Sequence, residues 1–247
     1  MSLRKDIYLA AAEAVSAGLI AVGRFANLDI PHEKLTEGYL DKAPSITKVH
    51  IIAKEETVRA VVNFTAELNA TFLRLLARRL PLVSQKQQID LLRGQIDTSL
   101  KENSRTLELI KQYNIDGLND PRKWSVLQQN FEFERDRGAQ STQEVDTLNA
   151  TLIPMQLQYM DECIGETIKL GRLLTPALFS IRKELELPID ETEFRRISDE
   201  ATAKQVESLR EYIQQLQSLI TAQSSATGRT LPPPSPSTAP LFSPRTH

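Results

Sequence analysis

The chain has 247 residues, 30 Lys plus Arg against 32 Asp plus Glu, and 40% hydrophobic residues. That is enough apolar material for a core and excludes a wholly disordered chain; the near-neutral balance argues against a dedicated nucleic-acid binder. One cysteine, Cys163, excludes an internal disulfide framework and a Cys-based zinc knuckle, and three histidines (His32, His50, His247) leave little for a His-rich metal site.

The long segments between prolines are rich in Leu, Gln, Glu, Lys, Arg and Ala, all good helix formers. Glycines number nine, about half the usual frequency of ~7%. The expected class is all-α: an elongated helical bundle, a projecting antiparallel coiled-coil hairpin and a disordered Pro-rich C-terminal tail.

A first helix is predicted from Leu3 to about Asn27. Arg4 and Lys5 before an Ala-rich run resemble an export signal, but Asp6 and Glu13 interrupt it. The longest uncharged stretch, Ala14 to Gly23, is 10 residues, short of the roughly 18–20 that span a bilayer. The expectation is no transmembrane segment and a cytoplasmic location. The Asn-x-Thr sequons at Asn63, Asn69 and Asn149 fall in helical patterns and read as chance. Ala10, Ala14, Ala17 and Ala21 share one face, with Gly18 beside them, a smooth stripe that admits a close neighbour.

A short helix is predicted from Pro31 to about Lys42, ended by Pro44. The β-branched stretch Ile46–Ile52 reads as an extended connection. The next helix runs from near Lys54 to Arg79 on a core face that includes Val61, Leu68, Phe72 and Leu75, and Pro81 is expected to interrupt it. The pattern resumes through Ile89, Leu92, Ile96, Leu100, Leu107 and Ile110, with Asn103 in one seam position. The thin stripe is coiled-coil-like.

Ile115-Asp116-Gly117-Leu118-Asn119-Asp120-Pro121 is the strongest turn signal, and Pro121 suits a helix start. Trp124, Leu127 and Phe131 open a second stripe. It weakens from Arg135 to Glu144 and returns at Val145, Leu148, Leu152, Met155 and Tyr159. Counting from Leu118, Pro81 lies 37 residues before and Pro154 lies 36 after. In an antiparallel hairpin the two prolines sit at one level and form a candidate hinge. The same reflection sets the weak zone 135–144 against Leu92–Lys101, giving the hairpin a soft middle. Each arm spans roughly 50 Å.

Beyond Pro154 a broad apolar face runs to Leu185, bent at Pro176. Asp190 with Glu193 reads as a capping start for a last helix to about Ala222. From Ser224 the composition turns to Pro, Ser and Thr; Pro233 and Pro236 form a minimal PxxP. The expected organisation is residues 1–81 and 154–223 as a two-part bundle, 82–153 as the hairpin and 224–247 as tail. The bundle halves carry net charges of +2 and −4, the hairpin −2.

Reactive motifs are absent: no Gly-rich phosphate loop, no HExxH, no GxSxG and no Glu-x-x-His. Asp161, Glu162 and Glu166 cluster on one helix and read as a solvated face, or else as a carboxylate group for acid–base or cation chemistry. Cys163 reads as a small core residue. Arg74, Arg78 and Arg79 make a basic spot by the Pro81 joint, read as ion pairs to the second half or a phosphate contact. Trp124 either staples the turn or anchors a partner; Asn103 is either a register device or plain surface. No catalytic residue, metal or cofactor is expected. The functional expectation is a non-enzymatic scaffold, adaptor or assembly component, working through a protein partner or self-association by the hairpin. The alternatives are peripheral membrane association and, behind it, a carboxylate-based metal protein or enzyme.

Overall fold

In the computed structural model, residues 2–187 and 190–227 are described. Seven helices follow in chain order, with no strand among the described residues: α1 (Ser2–Arg24), α2 (His32–Leu35), α3 (Glu37–Leu40), α4 (Ala43–Ile52), α5 (Glu55–Ile115), α6 (Pro121–Glu184) and α7 (Glu191–Thr227). The chain is all-α. It divides into two compact units, Met1–Ser198 and Asp199–His247. The expected tail begins inside α7, since residues 224–227 are helical; the rest of it, with Pro233 and Pro236, lies outside the described residues.

α5 and α6, of 61 and 64 residues, fold back on each other as the antiparallel hairpin that counting predicts. The Tyr159 hydroxyl donates to the Leu75 carbonyl at 3.0 Å. Gln85 Nε2 donates to the Leu148 carbonyl at 3.0 Å, and Ser99 Oγ to Glu134 at 2.8 Å. Each pair is mirrored about residue 116 or 117, so Pro81 and Pro154 do share one level.

Neither proline interrupts its helix, however. α5 runs through Pro81, and α6 runs through Pro154 and Pro176. The break predicted at Pro81 is corrected to continuous helix, and burial explains it. A proline deprives the carbonyl four residues earlier of its donor. All three prolines are exposed, and so are the residues bearing those carbonyls, Ala77, Ala150 and Arg172. Water can satisfy each acceptor.

Two further expectations are corrected near the N-terminus. Ile46–Ile52 is helical, as most of α4, and Pro44 sits in the first turn of that helix instead of ending another. Ile46 and Val49, three residues apart, are both buried, and α4 packs on α1; the burial of that face overrides the β-branched preference. The predicted helix from Pro31 is two single turns, α2 and α3, separated at Thr36.

The core is built from α1, α4 and the near halves of α5 and α6. Tyr8, Val22, Phe25, Val49, Phe64, Leu68, Leu75, Tyr159 and Leu170 are its innermost side chains. Phe72 joins Phe25 and Tyr39 at ring separations of 5.8 and 5.4 Å. The small-residue stripe of α1 serves the close approach it predicts: a Cβ on Gly18 would stand 2.5 Å from Leu68 Cδ2. By length and composition α1 could cross a membrane; here its Tyr8, Ala11, Ala14, Ala21 and Val22 are buried.

α5 has no side-chain cap of its own, and the far end of α6 supplies one. Glu184 accepts from the Lys54 backbone N–H at 2.8 Å and from the Tyr8 hydroxyl at 2.7 Å. Burial pushes the Glu184 pKa up, but hydrogen bonds from Thr57, Tyr8 and Lys54 together outweigh it and hold the carboxyl below its usual value.

Candidate functional site

The hairpin tip is locally well determined. Gly117 takes φ +62°, the left-handed conformation that closes α5, and Leu118 N–H donates to the Tyr113 carbonyl at 3.3 Å. The Asp120 carboxylate accepts from Arg122 and Lys123 N–H at 3.0 and 3.4 Å, capping α6 just before Pro121. The Tyr113 hydroxyl ties both backbone groups of Asp120 across the turn. Trp124 lies against Tyr113 with ring centroids 5.7 Å apart. It staples the turn and is still 39% exposed.

Below the tip, seam positions alternate at spacings of three and four. α6 contributes Trp124, Leu127, Phe131, Glu134, Gly138, Ser141 and Val145; α5 contributes Tyr113, Ile110, Thr106, Asn103, Ser99, Ile96 and Leu92. The middle of this seam is polar. Ser99 bonds Glu134, and Ser141 Oγ donates to Gln95 at 3.4 Å. With its amide oriented to satisfy both ends, Asn103 donates to the Phe131 carbonyl at 3.0 Å and accepts from Arg135 N–H at 3.2 Å. One side chain thus clamps the facing backbone at a single height, the geometry a register device needs.

Among the described residues, no apolar side chain between Leu92 and Val145 is buried; the buried ones are Ser99, Thr106 and Ser141. Large apolar residues stand outside instead: Leu91 at 71% exposure, Leu109 at 50%, Val126 at 54% and Phe133 at 64%. Leu91 and Leu109 are 18 residues apart, about five helical turns, so they lie on one line of α5. Val126 and Phe133 are seven apart and lie within about 20° of each other on α6. A groove of about 470 Å³ joins the arms where Leu109, Leu118 and Val126 meet beside Arg122 and Lys123. This flank is the candidate site.

The basic spot resolves into two kinds of contact. Arg74 pairs with Glu67 at 2.8 Å and Glu166 at 3.0 Å, and Arg78 with Glu162 at 3.2 Å. The cross-half ion pairs expected of Arg74 and Arg78 are therefore present, and Glu162 and Glu166 are the partners. Glu67 also takes Lys169 at 2.7 Å; hydrogen bonds from Lys169 and Arg74 hold its carboxyl below the usual range. Arg79 is different. It is 3% exposed and donates to the carbonyls of Phe25, Asn27 and Ile30 at 3.3, 2.8 and 2.6 Å. It is a buried cap on the chain leaving α1. Adjacent positions on a helix point about 100° apart, which is the signal that separates Arg79 from Arg78.

Cys163 is buried, and burial pushes its thiol up to about 12, fitting a packing role. Among the described residues, no group of three or more His, Cys, Asp or Glu converges to hold a metal ion. No protein-family model, curated protein or solved structure matches the chain.

Proposed function

We propose that the protein is a non-enzymatic scaffold or assembly component, acting in the cytoplasm, whose distal coiled-coil hairpin presents a docking flank to a protein partner. One observation carries the reading: the middle of the hairpin seam is polar while Leu91, Leu109, Val126 and Phe133 face out. A two-helix hairpin gains little from such a seam and much from covering the outer residues. Trp124 and the groove beside it supply an aromatic edge and an apolar pocket, the usual parts of a binding hot spot. The 81/154 level is the candidate hinge, since both arms lack a backbone bond there.

The test uses the full chain and a Leu109→Ser, Val126→Ser, Phe133→Ser variant as paired baits in the native cell. Far-UV circular dichroism checks that the helices are retained. The reading expects a protein partner, either a different chain or a second copy carrying another tag, to be captured by the first and lost by the second. Equal capture by both would place recognition elsewhere and sink the hairpin proposal. Membrane association is the second reading, favoured by exposed Leu3, Leu9 and Ile20 on α1. Co-sedimentation with anionic vesicles at low salt tests it.

A further inference from the structure

We propose that the partner of the hairpin flank is a second copy of this chain, docked antiparallel about a two-fold axis near Phe133. The inference rests on the docking reading above and adds the identity of the occupant.

Charge is the argument. Residues 104–131, the outer part of the hairpin, carry four basic and three acidic side chains. The middle, residues 88–103 with 132–148, carries four basic and eight acidic. The tip is thus slightly positive and the middle clearly negative. Side-by-side parallel pairing sets like on like. Antiparallel pairing sets each tip on the other copy's middle.

The same holds residue by residue on the apolar flank. Mirroring α6 onto α5 about residue 117 places Phe133 level with residue 101, Lys123 with 111 and Glu144 with 90. An axis at Phe133 then brings Lys123 of one copy to Glu144 of the other, within about one turn, ~5.4 Å. It stacks Phe133 on its own counterpart and brings Leu91 near the other copy's Leu109, which is 50% exposed. Such an interface is isologous and closes on itself, so it ends at the dimer. Within one chain Glu144 lies 21 residues beyond Lys123 along α6, roughly 32 Å away, so any coupling between the two must cross between copies.

The experiment is the solution mass of the purified full chain by light scattering or sedimentation equilibrium, for wild type, Phe133→Glu, Lys123→Glu and the pair Lys123→Glu with Glu144→Lys. The wild type is expected at twice 27.8 kDa. Phe133→Glu and Lys123→Glu are expected to shift toward the monomer mass with helicity retained. The charge-swapped pair is expected to return to the dimer mass, because it restores opposite signs in the antiparallel arrangement alone. The wild-type dimer is also expected to weaken as salt rises. A monomeric wild type overturns the inference, and so does a dimer indifferent to Phe133→Glu. A swapped pair that stays monomeric overturns the antiparallel arrangement. The docking reading is separable: a monomeric wild type that still captures a different protein through the same flank keeps that reading and removes this one.

Discussion

Arg79 offers the sharpest test of how the near half of the hairpin is held. Its guanidinium lies in the core and satisfies three carbonyls, those of Phe25, Asn27 and Ile30. These follow the end of α1, where a cation is favoured by the helix dipole. Replacing Arg79 with Met keeps volume and removes the donors. A hydrogen bond to a charged group contributes about 1.5–3 kcal/mol, and an acceptor left buried costs about 1–3 kcal/mol. Two of the three contacts are only partly buried, so the total is nearer 3–5 kcal/mol than the sum of maxima. For a chain of this length that shifts Tm by roughly 6–20 °C. Arg79→Lys offers a point charge with one reachable acceptor or two, and should recover no more than about half. Thermal and urea unfolding followed at 222 nm measure both. A Met variant within about 2 °C of wild type would show that water replaces the guanidinium, and the capping argument would be wrong.

The remaining predictions concern single contacts. Gly18→Ala gains helix propensity but drives a Cβ to 2.5 Å from Leu68 Cδ2, so it should lower stability by about 1 kcal/mol net. Gly138→Ala meets Ser99 Cβ at an ordinary 3.5 Å and should raise stability by up to ~1 kcal/mol; equal signs in paired urea titrations would contradict the packing. Glu184 and Glu67 have lowered pKa values in the fold, so their stabilisation is present above the unfolded carboxyl value of ~4.3 and is lost as pH falls through the folded values. Tm should hold from pH 7 to about 5 and drop below, less steeply in Glu184→Gln. Cys163 should resist a disulfide reagent at pH 8 and react once per chain in denaturant; rapid native labelling would contradict its burial. Glu186 takes φ 55° at the end of α6, which costs an L-residue about 1–2 kcal/mol. Glu186→Gly should therefore raise Tm slightly, and a fall would mean the carboxylate has a stabilising partner.

Much of this architecture was legible from spacing alone. The turn at Asp116–Pro121, the level pairing of Pro81 with Pro154 and the polar middle of the seam follow from counting, because an antiparallel hairpin is a reflection and helix rise is constant. Trp124 against Tyr113 and the Asp190 carboxylate accepting from Glu193 N–H at 3.1 Å follow from local turn and cap chemistry. What escaped depends on neighbours. Proline breaks a helix when its orphaned carbonyl is buried, and sequence does not say that Ala77 and Ala150 are wet. Ile46–Ile52 reads as an extended connection until α1 offers a face for Ile46 and Val49. Arg79 reads as an ion-pair or phosphate-contact residue until the chain leaving α1 is seen to turn its carbonyls inward. Outward leucines were misread for the opposite reason: Leu100 and Leu107 look like seam residues in the sequence, yet in the structure Ser99 and Thr106 occupy the seam and both leucines are exposed.

The polar seam also bears on the order in which the chain folds. Joining Leu75 to Tyr159 with nothing formed between them closes a loop of 84 residues, an entropic cost of about 4 kcal/mol beyond the constant term. Zipping inward from the tip shortens that loop step by step, but each step across Thr106, Asn103 and Ser99 buries little hydrocarbon. The first large apolar gain arrives only when Leu92 and Val145 close. The nascent hairpin must therefore climb before it descends, and the rate at which two helices of sixty residues find each other is governed by side chains that add least to the finished fold.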